Sequence, residues 1–367
     1  MWTDFWIGVG MMLAINGVLA LVMILAEATI GRYGPCTITV NGDKKLTVDG
    51  GRNLLSTLKE EKIFIPSACG GRGSCGLCKV TLEGAVGEPG ATELAWLSPE
   101  ERKAGVRLSC QLKVKKDLAI RIPPGLLSVK QYAAVVASLR DLTYDIKELR
   151  LKLAEPAAIE LRAGQFVQLE VPPYELTDEP VYRAYSVSSP PSSRGEIELE
   201  VRYVPNGICT TYVHKHLKAG DAVTLNGPYG EFYLRDSGRD VICVAGGSGM
   251  APIKAILLDM AERKSPRKTV YFFGARARKD LFLLDEMKAL EGRLPAFAFV
   301  PALSAPEPAD AWTGEAGLIT EVLERRLGDS REAEAYLCGN PFMIDACIKV
   351  LGKKGVPADR IYFDKFS

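Results

Sequence analysis

Ser67-Ala68-Cys69-Gly70-Gly71-Arg72-Gly73-Ser74-Cys75-Gly76-Leu77-Cys78 is a loop by composition, with glycine in four places and cysteine in three. The cysteines are spaced C-x5-C-x2-C, and a fourth, Cys110, follows after 31 intervening residues. Four thiolates in a three-plus-one pattern suit a [2Fe-2S] cluster. The glycines fit the same purpose. A loop that wraps a cluster turns its N–H groups inward and visits positive φ, which glycine does at least cost. Structural zinc also uses four cysteines, but usually as two close pairs, and only one close pair is present. A disulfide framework belongs to small chains in oxidising compartments. The metal-ligand set read from the spacing is therefore Cys69, Cys75, Cys78 and Cys110.

The chain has 367 residues, room for two or three domains. Its 46 basic and 45 acidic residues balance, so nothing in its charge points to nucleic acid. Five of the nine cysteines lie outside the cluster set: Cys36, Cys209, Cys243, Cys338 and Cys347. An odd total, mostly in apolar runs, implies reduced thiols on a cytosolic face. Phe5 to Ala26 is one apolar run with Asn16 its only strongly polar member, long enough to cross a bilayer. A cleaved signal peptide would carry positive charge ahead of the run, where Asp4 stands instead. Arg32, Lys44 and Lys45 follow, so the positive-inside rule puts residues 31 onward in the cytoplasm. Trp2 and Trp6 fit an interfacial belt, and Gly10, Ala14 and Gly17 form either a helix-contact face or an incidental small-residue stripe.

Beyond the anchor (1–30) the chain divides into three modules, 33–127, 128–235 and 236–367. The first opens with alternating runs joined by Asn41-Gly42, a hairpin signal. A short helix over 53–58 precedes the cysteine loop, and Lys79–Leu82 leaves it as a strand. Ser98-Pro99 starts a second helix, and Leu112–Ile122 reads as a strand. Strands around a helix with a cluster loop near one end resemble the β-grasp ferredoxin fold. The second module is strand-rich, with runs at 132–139, 146–153, 166–171, 184–189, 197–204 and 222–225, as in a closed antiparallel barrel. The third begins with a buried strand, Asp240–Ala245, then Gly246-Gly247-Ser248-Gly249-Met250 and a helix from Ile253 to Arg263. Strand, glycine turn and helix form a dinucleotide-binding arrangement. Strands and helices then alternate to Lys353, which predicts a doubly wound α/β sheet. The fold class is thus multi-domain α+β: membrane helix, β-grasp ferredoxin domain, antiparallel barrel and doubly wound nucleotide domain. His214 and His216, the only histidines, stand two apart on a helix and do not share a face. They read as solvated or capping residues, and no histidine acid–base catalyst is evident.

Within the barrel, Arg183-Ala184-Tyr185-Ser186 is followed by Gly207-Ile208-Cys209-Thr210-Thr211 and Gly227-Pro228-Tyr229-Gly230. In this order the motifs resemble the FAD-binding barrel of the ferredoxin-reductase family. The resemblance implies that Arg183 forks onto pyrophosphate, Tyr185 covers a flavin face and Ser186 bonds the flavin edge. It also implies that Gly207–Thr211 offers N–H groups to phosphate. Taken alone, Arg-Ala-Tyr-Ser is equally an ordinary edge strand. In the same family the Cys338-Gly339 pair faces the nicotinamide, and an aromatic near the C-terminus covers the flavin. Phe366 is the candidate for that aromatic and Phe363 the reserve; Cys338 is otherwise simply a buried strand-end cysteine. The resemblance makes Cys338, Tyr185, Ser186 and Phe366 the catalytic set.

The whole order, with the cysteine loop, Arg183–Ser186 and Phe366, resembles the NADH-oxidising F component of the sodium-pumping NADH:quinone reductases. That resemblance implies FAD, a [2Fe-2S] cluster and NADH. It also implies integral-membrane partner subunits and a single-pass location in the bacterial inner membrane. NADH rather than NADPH comes from the resemblance too, since Arg276 and Arg278 after the second nucleotide-domain strand would suit a 2′-phosphate. One departure is visible. The family carries an insertion before the flavin motif, whereas here Val171-Pro172-Pro173-Tyr174 reaches Arg183 through a brief loop. Two other functions fit parts of the pattern: an anchored NADH reductase serving an oxygenase or desaturase, and a non-enzymatic zinc-bearing interaction protein.

Overall fold

The computed structural model describes residues 2–30, 33–84 and 87–366. Arg32, part of the basic flank read above, lies outside the described residues. The chain packs as two units. One holds residues up to Ile65 together with Gly71–Ser128, and the other holds Pro66–Gly70 with the chain from Val129 on.

The first unit begins with α1 (Trp2–Ile30). Phe5–Ile24 within it has a mean hydropathy of 2.3, long and apolar enough to cross a membrane, and none of it is buried. Asn16 Nδ2 donates to the Met12 carbonyl at 2.8 Å, which satisfies half of a lone polar amide inside the helix. A five-stranded sheet follows, in the order β2-β1-β5-β3-β4. Its strands are β1 (Pro35–Val40), β2 (Lys44–Asp49), β3 (Lys79–Glu83), β4 (Val106–Leu108) and β5 (Leu118–Arg121). Helices α2 (Leu54–Glu60), α3 (Ala91–Leu94) and α4 (Pro99–Lys103) lie between them in sequence. The β1–β2 turn carries Asn41 at φ 53° and Gly42 at φ 82°, the two left-handed positions that the Asn-Gly signal calls for. Ser98 caps α4 reciprocally with Glu101, behind Pro99. Ile38, Leu54, Leu58, Leu108 and Ile120 are fully buried between sheet and helix.

The strand expected over Leu112–Ile122 forms only at Leu118–Arg121. Leu112 and Val114 are held instead against the entry to α2. The Leu54 amide donates to the Leu112 carbonyl at 2.7 Å, and the Val114 amide to the Arg52 carbonyl at 2.9 Å. Asp117 then turns the chain by accepting from the Thr37 amide at 2.7 Å.

The second unit starts with an antiparallel barrel of β6 (Lys130–Asp141), β7 (Ile146–Glu155), β8 (Phe166–Val171), β9 (Val181–Ser186), β10 (Glu196–Arg202) and β11 (Ala222–Tyr229). Helix α5 (Ile208–Lys215) precedes β11. The strand order is β10-β7-β6-β11-β8-β9, and a Val187–Leu199 bridge joins the two ends. Six parallel strands follow in the order β15-β14-β13-β12-β16-β17. They are β12 (Val241–Gly246), β13 (Thr269–Ala275), β14 (Phe297–Leu303), β15 (Glu315–Ala316), β16 (Glu334–Gly339) and β17 (Ile361–Lys365). Helices α6 (Met250–Glu262) and α7 (Leu284–Ala289) pack into one core with Tyr271, Phe273 and Cys338. Helices α8 (Ile319–Arg326) and α9 (Pro341–Lys353) pack into another with Val244, Phe272 and Leu337. Two cores built on alternate residues of the same strands make the sheet doubly wound. Ile253, Ile256, Leu257 and Met260 of α6 are fully buried, each contributing about 1.5–3 kcal/mol.

Candidate functional site

The cysteine loop turns as its composition requires. Gly70, Gly71, Gly73 and Gly76 all have positive φ, from 65° to 89°. None of the nine cysteines is joined in a disulfide. Of the four expected ligands, the structure brings Cys78 and Cys110 side by side, both buried, while Cys69 and Cys75 are partly exposed. A hydrogen bond with the Cys110 thiol, and then burial, hold the Cys78 thiol protonated far above its ordinary range. Gln111 Nε2 donates to Cys110 Sγ at 3.4 Å. Among the described residues no three His, Cys, Asp or Glu side chains sit close enough to hold a metal ion. The donor chemistry nonetheless fits a cluster. Two buried thiols side by side resist ionisation on their own, and a bound metal that takes their protons' place makes the thiolate pair favourable.

In the second unit, Arg183, Tyr185 and Ser186 lie on β9. Arg183 is half-buried, with Nη1 donating to the Tyr182 carbonyl at 2.8 Å. Burial pushes the Tyr185 phenol well above its ordinary pKa. Gly207 caps α5, and Cys209 and Thr211 on its first turn are buried. The Thr211 hydroxyl is buried with no hydrogen-bond partner. An orphaned hydroxyl on a helix start suits a flavin phosphate or ribose, because a buried polar group without a partner costs about 1–3 kcal/mol. The connection from β8 to β9 puts Tyr174 edge-on to Tyr212, and its hydroxyl donates to the Ile208 carbonyl. His216 pairs with Glu175 at 2.9 Å, and His214 Nε2 meets the Val201 carbonyl at 2.9 Å, so the two histidines serve separate contacts.

The glycine turn Gly246–Gly249 joins β12 to α6. A Cβ on Gly249 would lie 2.3 Å from the Cys338 carbonyl oxygen, so only glycine lets the turn close over the end of β16. The Phe366 amide donates to the Gly339 carbonyl at 2.9 Å, which brings the candidate aromatic beside the Cys338-Gly339 pair. Phe363 faces away, exposed, under Lys365 Nζ at 5.0 Å. Arg278 Nη1 is tied to the Asp310 carbonyl at 3.2 Å.

Sequence reasoning missed Asp364. It stands opposite Cys338 in the β16–β17 register and hydrogen-bonds Ser186. Burial pushes its carboxyl up to about 6, against the Ser186 hydroxyl, which lowers it. The Cys338 thiol is driven well above its ordinary range by burial first, then by Asp364 and Glu200. A signal for Asp364 was present, since alternate residues of a strand share a face and Asp364 precedes Phe366 by two.

A cysteine loop on a β-grasp sheet, a flavin-type barrel and a parallel nucleotide sheet define an iron–sulfur flavoprotein reductase that draws its electrons from a nicotinamide. Family models agree. The 2Fe-2S iron-sulfur cluster binding domain matches 38–115, the oxidoreductase FAD-binding domain 133–233 and the oxidoreductase NAD-binding domain 243–349. The chain is 36% identical to the F component of the Na(+)-translocating NADH-quinone reductase of Neisseria meningitidis over 400 aligned positions, covering 98% of each chain. It is 35% identical to the corresponding Pseudomonas aeruginosa protein, covering 99% of this chain and 98% of that one. The chain therefore belongs to the family of F components of the Na(+)-translocating NADH-quinone reductases. It passes electrons from NADH through FAD and a [2Fe-2S] cluster. Among solved structures, the Amycolatopsis cytochrome P450 reductase GcoB is 30% identical, with a TM-score of 0.72 over 90% of this chain and 98% of that one. The ferredoxin reductase in carbazole 1,9a-dioxygenase is 28% identical, with a TM-score of 0.69 over 91% of this chain and 98% of that one.

Proposed function

We propose that this chain is the electron-input subunit of a sodium-translocating NADH:quinone reductase, anchored by α1 in the bacterial inner membrane with its soluble modules in the cytoplasm. Cys69, Cys75, Cys78 and Cys110 hold the cluster. Arg183, Ala184, Tyr185, Ser186 and Gly207–Thr211 bind FAD. Gly246–Met250, Cys338 and Gly339 bind NADH, and Phe366 covers the flavin. The observation that carries the reading is the gathering of Ser186, Asp364, Cys338 and Phe366 from the barrel and the last two strands of the nucleotide sheet.

Bound flavin supplies the conversion of a hydride into single electrons, and a bound cluster supplies a one-electron carrier. The chain's own residues supply orientation and proton handling. A hydride carries two electrons and one proton, so when the electrons leave singly one proton is left behind. Asp364, ionised above about pH 6, takes it through the Ser186 hydroxyl that it bonds. Cys338, held as a neutral thiol, offers a soft uncharged wall.

Cys75→Ser in the membrane-bound protein should leave NADH-to-dye electron transfer intact and stop quinone reduction. Loss of both together would overturn the assignment. Protease added to inverted membrane vesicles should remove the chain beyond residue 33. Likeness to the P450 and carbazole dioxygenase reductases favours a second reading, an anchored reductase serving an oxygenase. Co-purification from native membranes separates the two: integral-membrane flavoprotein subunits support the first, an oxygenase the second.

A further inference from the structure

The barrel meets the nucleotide sheet through Ile146, Ala163 and Phe232, which sit in that sheet's buried core, and through charge. Arg140 on β6 bonds Glu148 on β7 at 2.6 Å. Glu148 also accepts from Arg150 at 3.0 Å, and Arg150 reaches Glu198 on β10 at 3.1 Å. Glu198 accepts from Lys254 on α6, and Lys254 lies 3.2 Å from Glu286 on α7. Six charges thus alternate in sign from one module into the other and sum to zero. Glu148 and Lys254, at 3% and 2% side-chain exposure, are closed off from water, while Arg140, Arg150 and Glu286 reach it. Burial alone would lower the Lys254 pKa; the carboxylates around it, Glu198 first, outweigh burial and hold the ammonium above its ordinary value.

Glu200 is the seventh member. It follows Glu198 by two on β10 and lies opposite Glu148 in the β7 register. Both its carboxyl oxygens are buried with no hydrogen-bond partner. The groups facing it are Glu148 from β7, Glu198 from its own strand, Lys254 from α6, Glu286 from α7, Tyr271 from β13 and Cys338 from β16. The Tyr271 hydroxyl is likewise buried without a partner. Each cation of the chain is already bonded to another carboxylate. An ionised Glu200 would give the cluster an uncompensated buried charge, which low dielectric strongly disfavours. Burial, opposed by Lys254 and reinforced by Glu198, Glu286 and Glu148, accordingly drives its carboxyl well above the ordinary range.

We propose that the alternating chain Arg140–Glu148–Arg150–Glu198–Lys254–Glu286 latches helix α6, and with it the Gly246–Gly249 turn, onto the flavin barrel, and that Glu200 is the neutral acid on which the balance of this latch depends. Glu200 is a positioning residue. It acts on NADH binding through α6 and not on the reacting atoms. When it loses its proton the latch carries net negative charge, α6 loosens, and NADH binds more weakly while FAD stays in place. The proposal goes beyond the electron path and rests on the reading that NADH binds at the Gly246–Gly249 turn.

Full-length, FAD-loaded protein in detergent tests it in two ways. Infrared spectra at neutral pH should show a deuterium-sensitive carbonyl stretch of a protonated carboxyl that is missing in Glu200→Gln. In NADH-to-dye turnover, wild-type KM for NADH should climb on the alkaline side by up to about tenfold per pH unit, the limit for loss of one proton. The kcat should change little, and Glu200→Gln should flatten the climb. Glu200→Leu, also neutral, carries the same expectation should the amide variant not fold. An identical carbonyl region in wild type and Glu200→Gln, or an alkaline rise in KM that neutral variants retain, overturns the proposal.

Discussion

Glu93 and Arg107 form a buried ion pair beside the segment that carries Cys110, and removing one partner tests how that segment is held. The two side chains are 1% and 9% exposed. Glu93 accepts from Arg107 Nε at 2.9 Å and Nη2 at 2.6 Å, and from the Leu108 amide at 2.9 Å and the Gly90 amide at 2.9 Å. Glu93→Leu strands a buried guanidinium and the amide of fully buried Leu108, and should cost about 3–5 kcal/mol. That is a large share of the roughly 5–15 kcal/mol that holds an ordinary domain together. Adding Arg107→Met removes the stranded charge and should leave the buried Leu108 amide unsatisfied, about 1–3 kcal/mol, while the amide of exposed Gly90 turns to water. Denaturant titration read by cluster absorbance, with flavin fluorescence reporting the other unit, should give a large loss for the single variant and substantial recovery for the double. The sign with pH is also set. Burial raises the Glu93 carboxyl, but the Arg107 hydrogen bond and the two amides outweigh it and hold it below the ordinary range. The contribution is therefore present above the ordinary carboxylate pKa and lost as pH falls through the depressed value. The double variant should accordingly lose less stability in acid than wild type. A double variant no more stable than Glu93→Leu would refute the reasoning.

Asp364→Asn should remove the limb near pH 6 from the pH profile of NADH-to-dye turnover and slow it by about 10²–10⁴-fold, the usual worth of a positioned proton acceptor. Because its folded pKa is raised, ionised Asp364 opposes folding, so above pH 6 the variant should be the more stable protein by thermal melting. Thr211→Val should leave flavin-free protein as stable as wild type or more so, because it deletes an orphaned hydroxyl. The same variant should lower flavin content on purification, read as bound FAD per chain.

What could be read in advance was local. Asn41-Gly42 needs two left-handed residues, Ser98-Pro99 needs a helix start, and Gly249 follows a strand at the spacing a phosphate turn requires; each is settled within a few residues. The long strand expected over Leu112–Ile122 failed because Leu112 and Val114 are claimed by the backbone of Arg52 and Leu54, some sixty residues earlier. Asp364 escaped notice for a related reason. Its importance lies in Ser186 and Cys338, which only the closing of the barrel and the sheet bring to it. Glu-Ile-Glu-Leu-Glu on β10 alternates as a strand with one wet face would, yet Glu198 and Glu200 are buried, because α6 covers the face that alternation assigns to water.

That burial changes the energetics of the second unit. The barrel closes around its own apolar core of Leu149, Leu151, Leu169, Leu199 and Leu225, and the nucleotide sheet closes around two more. Where the two meet, Ile146, Ala163 and Phe232 of the barrel are buried in the nucleotide core, and uncovering them would cost about 25 cal/mol per Å². An alternating run of charges behaves differently. Arg140, Glu148, Arg150 and Glu198 stay together on the barrel and Lys254 and Glu286 on the nucleotide module, so the ion pair broken when the modules part is the enclosed Glu198–Lys254 pair, which resists separation until its charges are unbalanced. A junction built this way holds the glycine turn in register with the flavin strand at rest and yields to a change of one charge, which is why a single neutral carboxyl at Glu200, facing Lys254, has leverage over α6.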